Sequence, residues 1–299
     1  MKILITGASG LIGKALQSSF KEKGYEMLLG SRSERKDERH IKWDPDTGFS
    51  AEDLPRLEGL DAVIHLAGEN ISGLRWTEEK KKAIRDSRVF GTRSMVETFD
   101  KLKQKPKVFI SGSAIGFYGD RGSDEMTESS SAGKTFLSEI SKEWEAESRR
   151  AEDMGIRTVL LRTGIVLSKD GGALATMMTP FKLGVGGVIG SGEQWMSWVS
   201  LDDVVRIINF VLENEDFRGA INVTAPNPVT NEEFTKTLGS VLYRPTFLPL
   251  PEFAVHMVFG EMGDALLLDS TRVVPKRLLD AGFEFKYPKL KDALEHAVK

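Results

Sequence analysis

A glycine-rich turn beginning at Gly7 constrains this 299-residue chain more than any other feature. The preceding segment, KILIT, is a short apolar run typical of a buried parallel strand. Glycines follow at 7, 10 and 13, and the apolar spacing from Ser9 to Lys23 predicts a helix. Glycine permits a tight turn, a close backbone approach and close helix packing at these three places. The segment therefore predicts a strand–turn–helix unit that binds the pyrophosphate of a dinucleotide.

Strand and helix patterns alternate through the first 168 residues. Residues 33–58 are polar and are expected to be irregular. The remaining strand patterns are EMLLGSR, LDAVIHLAG, KVFISGS and RTVLLRTGIVL, and the helical patterns cover about 77–103 and 134–154. Alternation of this kind, with short turns, predicts an α/β fold with a Rossmann-type, doubly wound parallel sheet.

The pattern changes after residue 168. Glycines cluster between Gly171 and Gly192, and short elements separated by proline-rich turns follow. We expect residues 1–168 to form a dinucleotide-binding domain. Residues 169–299 are expected to form a smaller C-terminal α/β lobe over the strand ends, with some segments returning to the main sheet.

The end of the second strand indicates which dinucleotide is bound. NAD sites usually carry an acidic residue about 20 residues beyond the glycine turn. Here the strand ends in GSR at Arg32, with Arg35 and Lys36 nearby. A guanidinium pairs well with a 2′-phosphate, so the sequence favours NADP(H). The alternative is that Arg32 is a solvated loop charge and that Asp37 supplies the acid.

The composition argues against several other classes. The net charge of −3 gives no sign of a nucleic-acid partner. The chain has no cysteine, and its four histidines are scattered, so no metal-ligand spacing is evident. The amino-terminal apolar run is too short for a signal peptide, and no stretch approaches the roughly 18 apolar residues of a membrane span. We expect a cytoplasmic protein with a small-molecule substrate and without metal, nucleic-acid or membrane partners.

Three segments resemble the extended short-chain dehydrogenase/reductases, the nucleoside-diphosphate-sugar epimerase group: TGASGLIG, DAVIHLAGEN and SGSAIGFYG. RWTEEKKKAIRDSRVFGTR, KEWEAE and LRTGIVL resemble an atypical subfamily called "epimerase family protein", and the similarity covers essentially the whole chain. The resemblance implies the fold and an NADP(H) site, but it implies no substrate. The cofactor-binding residues that it implies are Gly7, Ser9, Gly10, Leu11, Ile12, Gly13, Ser31, Arg32, Leu66, Ala67, Gly68, Glu69, Arg88, Arg162, Gly164 and Val166.

The catalytic residues match the family only in part. The resemblance implies that Ser113 is the catalytic serine and Lys142 the catalytic lysine. The family has a tyrosine four residues before that lysine, where this chain has Ser138. A serine does not replace a phenolate as proton carrier near neutral pH without a strong base. Tyr118, in the loop after Ser113, is a candidate stand-in acid, and the alternative is that it packs that loop.

Other polar and aromatic residues have structural alternatives. Tyr287 and Lys291 repeat the tyrosine–lysine spacing, but the proline directly after Tyr287 argues against a shared helix face, and we interpret the match as coincidence. His65 is interpreted as a core histidine rather than a base. Trp195, Met196 and Trp198 form either a substrate lid or part of the core. Asp202 and Asp203 are interpreted as helix-capping acids.

Two functions are consistent with these patterns. The first is an NADP(H)-dependent oxidoreductase or epimerase-like enzyme acting on a small polar or sugar-like molecule, in which Ser113 polarises the substrate oxygen and Lys142 holds the nicotinamide ribose. The second is a non-catalytic NADP(H)-binding protein that regulates or binds a partner. The missing tyrosine favours the second, whereas Ser113 and Lys142 favour the first. The helical segments 77–103 and 134–154 are candidate surfaces for a homodimer.

Overall fold

The structure, a computed structural model, describes residues 1–32, 37–73 and 75–299. Its strands are β1 (Lys2–Thr6), β2 (Glu26–Ser31), β3 (His40–Asp44), β4 (Gly48–Phe49), β5 (Ala62–His65), β6 (Val108–Ala114), β7 (Glu125–Met126), β8 (Arg157–Thr163), β9 (Ile165–Leu167), β10 (Trp195–Met196), β11 (Trp198–Ser200), β12 (Gly219–Val223), β13 (Val229–Thr230) and β14 (Arg272–Val273). Its α-helices are α1 (Leu11–Glu22), α2 (Glu78–Lys101), α3 (Phe136–Arg149), α4 (Gly172–Lys182), α5 (Leu201–Glu213), α6 (Asn231–Leu242), α7 (Glu252–Phe259), α8 (Glu261–Gly263), α9 (Lys276–Asp280) and α10 (Leu290–Ala297).

A sheet of eight strands, in the order β12-β8-β6-β5-β1-β2-β3-β4, forms the centre of the molecule. All of its pairs are parallel except β3 with β4. Strand β1 lies between β2 and β5, and Thr6 at its end is in register with Gly30 and His65. Because parallel strands end at a common edge, the segments that follow β1, β2 and β5 lie side by side. The predicted Rossmann-type sheet is confirmed.

Helices cover both faces of this sheet, as the alternation of buried side chains requires. Ile3 and Ile5 of β1 face a core shared with α1 and α5, whereas Leu4 faces a core shared with α2. Both faces of the strand are therefore apolar, which is the pattern expected of a parallel sheet buried on both sides.

The expectation that residues 33–58 are irregular is wrong for the part that the structure describes. Strands β3 and β4 extend the sheet at its edge, where Ile41 and Trp43 are buried on either side of the exposed Lys42. Phe49 of β4 pairs with Trp43. These strands are too short for the alternation of two or three apolar residues to stand out within a polar stretch.

The segment RTVLLRTGIVL is not one strand, as its composition predicted, but two. Strand β8 belongs to the main sheet, whereas β9 pairs with β11 in a separate two-stranded sheet. The break falls at Gly164, where a Cβ atom would lie 2.5 Å from the carbonyl oxygen of Ser197. Only glycine permits this close approach of backbone, so the chain changes sheets there.

The C-terminal segments build a second core and also complete the main sheet. Met178, Phe181, Trp198, Phe234 and Leu294 are buried together in a cluster formed by α4, α6, α10 and β11. Strand β12, in contrast, pairs with β8 at the edge of the main sheet. The division at residue 168 stays a prediction, and so does a homodimer through α2 and α3. In the described ranges, no helix is both long and apolar enough to span a bilayer.

Candidate functional site

The glycine turn packs against the end of the neighbouring strand. Gly7 has a φ of +70°, and a Cβ atom there would lie 2.7 Å from the carbonyl carbon of Leu66. A Cβ atom at Gly13 would lie 2.4 Å from the carbonyl oxygen of Gly7. At Gly10, by contrast, a Cβ atom would meet only that same oxygen, at 3.2 Å. Gly7 and Gly13 therefore have a packing role, while Gly10 leaves its outer side open.

Helix α1 begins at this open side of the turn. Its N-cap is Gly10, which offers no side-chain cap, and its first turn, from Leu11 and Ile12 onward, contains no acidic residue. The first N–H groups of a helix have no carbonyl partner within the helix, and the helix dipole makes this end electropositive. Ser9 and Gly10 are exposed beside it. The arrangement is suited to binding an anionic group such as a phosphate.

Arg32 follows the end of β2, next to the glycine turn. Its side chain is exposed, whereas Ser31 is half-buried. The alternative acid, Asp37, is held within its own loop, where it forms hydrogen bonds with Arg39 and His40 at 2.9 and 2.7 Å. The Arg39 and His40 bonds lower the pKa of Asp37. Arg35 and Lys36 lie outside the described residues.

A half-buried arginine lies behind the end of β5. Arg88, on α2, donates from Nη1 to the carbonyl oxygens of Glu69 at 3.0 Å and Ile84 at 3.1 Å. Its guanidinium is in contact range of Gly68, where a Cβ atom would be 3.4 Å from Cζ. Burial lowers the pKa of Arg88 to about 10, although the charge of Glu69 opposes the shift. In the part of the chain that the structure describes, no carboxylate forms a hydrogen bond with this guanidinium, so it could still accept an anion.

Ser113, the predicted catalytic serine, is engaged in a buried ion pair. Its hydroxyl donates to Glu145 Oε1 at 2.8 Å. Arg162 donates to the same carboxylate from Nε at 2.8 Å and from Nη2 at 2.9 Å. Burial alone would lower the pKa of Arg162, but its bonds to Glu145 outweigh burial and raise it. The serine proton and the guanidinium therefore satisfy one carboxylate, and all three side chains are buried.

Tyr118, the candidate stand-in acid, belongs to the same network. Its hydroxyl donates to Asn222 Oδ1 at 2.6 Å and accepts from Arg162 Nη1 at 3.0 Å. The side chain is fully buried, and burial raises the pKa of its phenol although Arg162 opposes the shift. The ring also packs edge-on against Phe117. In this arrangement the phenol is neutral near pH 7 and has no open side from which to reach a substrate.

Lys142 does not join this network. Its ammonium pairs with Glu139 of the same helix, at 3.0 Å, and both side chains are about half exposed. Ser138, at the position of the expected tyrosine, is buried and donates to the carbonyl oxygen of Gly116 at 2.9 Å. The backbone of Gly133 packs tightly against it, since a Cβ atom there would be 2.7 Å from Ser138 Oγ. The structure thus brings Ser113 and Tyr118 together through Arg162 and leaves Lys142 outside.

The remaining predicted cofactor-binding positions lie along the carboxyl edge of the sheet. Leu66 and Ala67 are half-buried after β5 and pack onto the cores on the two faces of the sheet. Gly164 lies at the break between β8 and β9, and Val166 of β9 pairs with Val199. These positions lie along the carboxyl edge of the main sheet, between the glycine turn and Arg162.

The structure also decides among the alternatives for the other residues. His65 is fully buried and bonds Thr6 Oγ1 through Nδ1 at 2.7 Å, and burial lowers its pKa to about 3. It is a neutral core histidine. Met196 and Trp198 are buried in the core rather than in a lid. At the start of α5, Ser200 is the N-cap and accepts from the Asp203 N–H at 3.0 Å, while Asp202 and Asp203 are acids of the first turn. Tyr287 lies before α10, outside any helix shared with Lys291.

Sequence reasoning missed the partners of the predicted catalytic residues. Glu145 and Asn222 are distant in sequence from Ser113 and Tyr118, and no motif pointed to them. One signal was available: Arg162 interrupts the apolar run of β8, and a charged residue in a buried strand requires a buried partner. Glu145, a carboxylate on the amphipathic α3, was a suitable candidate for that partner.

A parallel sheet with this strand order, opened by this glycine turn and completed by a C-terminal lobe, is the fold of the extended short-chain dehydrogenase/reductases. The model of the NAD dependent epimerase/dehydratase family matches residues 3–224, and the chain belongs to this family. A domain of unknown function, DUF1731, matches residues 250–297. The family resemblance of the sequence is confirmed.

Individual relatives are similar over their whole length. The epimerase family protein YfhF of Bacillus subtilis is 38% identical over 100% of this chain and 98% of its own length. A crystal structure of the human epimerase family protein SDR39U1 with NADPH superposes with a TM-score of 0.90, at 34% identity, and covers 99% of both chains. The UDP-glucose 4-epimerase of Thermus thermophilus has a TM-score of 0.79 over 100% of this chain and 98% of its own, but only 17% identity, so it shows the fold alone.

Proposed function

We propose that this chain binds NADP(H) at the glycine turn. The observation that carries the proposal is the start of α1, where N–H groups without a carbonyl partner in the helix lie beside the open Gly10 and the first turn has no acidic residue to oppose an anion. The human relative SDR39U1, whose crystal structure contains NADPH, supports the choice of ligand. Arg32 favours NADP(H) over NAD(H), because the alternative acid, Asp37, is already engaged by Arg39 and His40.

The half-buried Arg88 supports the same ligand. A partly desolvated guanidinium is costly unless an anion or several acceptors satisfy it, and within the described residues Arg88 donates to two backbone carbonyls. It lies behind Gly68, at the strand end that the bound dinucleotide would cross. A phosphate or ribose hydroxyl of the cofactor would give it the missing acceptor.

We further propose that the role of the bound NADP(H) is regulatory or partner-binding, rather than hydride transfer assisted by Ser113, Tyr118 and Lys142. The hydroxyl of Ser113 is committed to Glu145, and the phenol of Tyr118 is buried between Asn222 and Arg162. Lys142 is directed to Glu139. None of these three groups is arranged to pass a proton to a substrate.

An oxidoreductase or epimerase-like enzyme acting on a small polar or sugar-like molecule is the second candidate. It is favoured by the family match and by the position of Ser113 at the carboxyl edge of the sheet, where ligands bind in open α/β folds. The nicotinamide would supply hydride transfer.

The test of this second candidate is NADPH oxidation against a panel of sugar-like and small carbonyl compounds. Turnover that Ser113→Ala abolishes without weakening NADPH binding would establish the enzyme and refute the regulatory role.

Calorimetric titration with NADPH, NADP⁺, NADH and NAD⁺ tests the binding proposal. We expect the wild-type protein to bind NADPH at least about tenfold more tightly than NADH, and Arg32→Ala to remove this preference. Arg88→Met should weaken all four ligands by about tenfold. Arg218→Ala is the matched control, because Arg218 is an exposed arginine just before β12, at the opposite edge of the sheet. Failure of the wild-type protein to bind any of the four would refute the proposal.

A further inference from the structure

Glu69 follows the end of β5, the strand that pairs with β1 beside the glycine turn. Its backbone is held from both sides by α2: Ser87 Oγ accepts from the Glu69 N–H at 2.9 Å, and Arg88 donates to its carbonyl oxygen at 3.0 Å. The position of its side chain is therefore set by the packing of α2 against the end of β5.

The Glu69 carboxylate is paired with a lysine from the first turns of α2. Lys80 Nζ lies 2.7 Å from Glu69 Oε1, and both side chains are about one-third exposed. The Lys80 bond lowers the pKa of Glu69, and the charges of Arg32 and Arg88 act in the same direction. Glu69 is thus ionised and lies within the electrostatic range of Arg32.

The sheet register places Glu69 and Arg32 at the same edge of the sheet, on the two strands that flank β1. Gly30 of β2 and His65 of β5 flank Thr6 of β1. The segments that carry Arg32 and Glu69 leave the sheet at the same edge, on the two sides of the glycine turn. NAD-specific Rossmann proteins carry their ribose-binding carboxylate at the end of the second strand, which is the position of Arg32 in this chain. A carboxylate on the other side of the glycine turn, such as Glu69, repels a 2′-phosphate bound there.

We propose that the Lys80–Glu69 ion pair sets the preference of this chain for NADP(H) over NAD(H), by neutralising a carboxylate that would otherwise repel the 2′-phosphate and compete for Arg32. This inference rests on the proposed NADP(H) site. Arg32 supplies the attraction for the phosphate, and Lys80 removes the opposing charge. Glu69 remains available to accept a ribose hydroxyl, so the pair acts on the choice between the two cofactors rather than on dinucleotide binding as such.

The experiment compares the ratio of the dissociation constants for NADH and NADPH among four variants. Lys80→Met should lower this ratio about tenfold, because an unpaired Glu69 repels the phosphate and binds Arg32. Glu69→Gln should keep or raise the ratio. In the double variant the Lys80→Met effect should largely disappear. Lys82→Met is the matched control, since Lys82 lies on the same helix, is exposed and pairs with Asp86.

Three results would overturn the inference. An unchanged ratio in Lys80→Met, with both ligands bound, refutes the role of the pair and leaves the binding site intact. If Lys80→Met lowers the ratio equally in the wild-type protein and in Glu69→Gln, then Lys80 contacts the phosphate directly. Absence of dinucleotide binding in the wild-type protein removes the proposed function and this inference together. Circular dichroism and thermal melting of each variant distinguish a change in cofactor choice from loss of the fold.

Discussion

Ser113 shows how one hydrogen bond determines what a side chain is able to do. Its single hydroxyl proton is donated to Glu145, and Arg162 donates two further N–H groups to the same carboxylate. The carboxylate thus accepts from three N–H and O–H groups, two of them from the bidentate Arg162 guanidinium. The serine is therefore better placed to complete a buried polar network than to polarise a substrate.

Removing the carboxylate of this network should cost much more than removing the hydroxyl. We expect Glu145→Ala to lower the free energy of unfolding by about 3–5 kcal/mol, because Arg162 is left buried and unpaired. Ser113→Ala should cost only about 1 kcal/mol, the value of a single hydrogen bond. Urea unfolding of both variants measures the difference. The control is Glu139→Ala on the same helix, where Glu139 is half exposed. Equal losses for Glu145→Ala and Glu139→Ala would contradict the structural role.

At the level of elements, the segment before α2 connects the region of the proposed cofactor site to the C-terminal helices. Arg75 donates from Nε to the carbonyl oxygen of Val258 at 3.0 Å and from Nη2 to that of Met257. Lys81 of α2 pairs with Glu261 at 2.9 Å. The last carbonyls of a helix have no partner within it, so a guanidinium from the other part of the molecule satisfies the C-terminal end of α7.

Loss of this contact should loosen α7 selectively. We expect Arg75→Ala to increase the rate of amide hydrogen exchange in residues 252–264 by roughly two- to tenfold, because two helix carbonyls lose their donor. The main sheet should keep its protection. Lys82→Ala serves as the control, because its lysine is exposed on α2 and pairs with Asp86 instead. Unchanged exchange in Arg75→Ala would show that the contact does not hold the helix.

Short elements were the least predictable part of the fold. The sequence shows β1, α1 and α3 clearly, because each has a periodic apolar pattern of sufficient length. Strands β3 and β4 bury only Ile41, Trp43 and Phe49, too few residues for a pattern within a polar segment. The break at Gly164 was missed because it depends on the approach of Ser197, which is distant in sequence.

At the scale of the whole molecule, His65 couples the stability of the fold to pH. It lies in the centre of the sheet, with Nδ1 bonded to Thr6 and its ring against Trp43. Burial lowers its pKa from 6.5 to about 3. Below pH 6.5 the unfolded chain binds a proton at this histidine while the folded chain does not. Its contribution to stability is therefore complete above pH 6.5 and is lost as the pH falls toward 3.

The expected result is a pH-dependent difference between the wild-type protein and His65→Gln. From pH 6.5 downward, the wild-type free energy of unfolding should fall by about 1.4 kcal/mol per pH unit more than that of the variant. Urea unfolding at several pH values above and below 6.5 measures it. His296→Gln, which changes an exposed histidine, should retain the wild-type slope. A parallel pH dependence in His65→Gln would show that this histidine is not the coupled group.

The sequence by itself determined the class of fold and the position of the glycine turn. Both depend on local physics: the apolar period of strands and helices, and the steric freedom that Gly7 and Gly13 require. Only the tertiary structure decided the roles of Ser113, Tyr118 and Lys142. Ser113 finds its partner 32 residues away in Glu145, and Tyr118 finds Asn222 104 residues away. Such contacts depend on how α3 packs against the sheet and on the pairing of β12 with β8, which no local pattern in the sequence specifies.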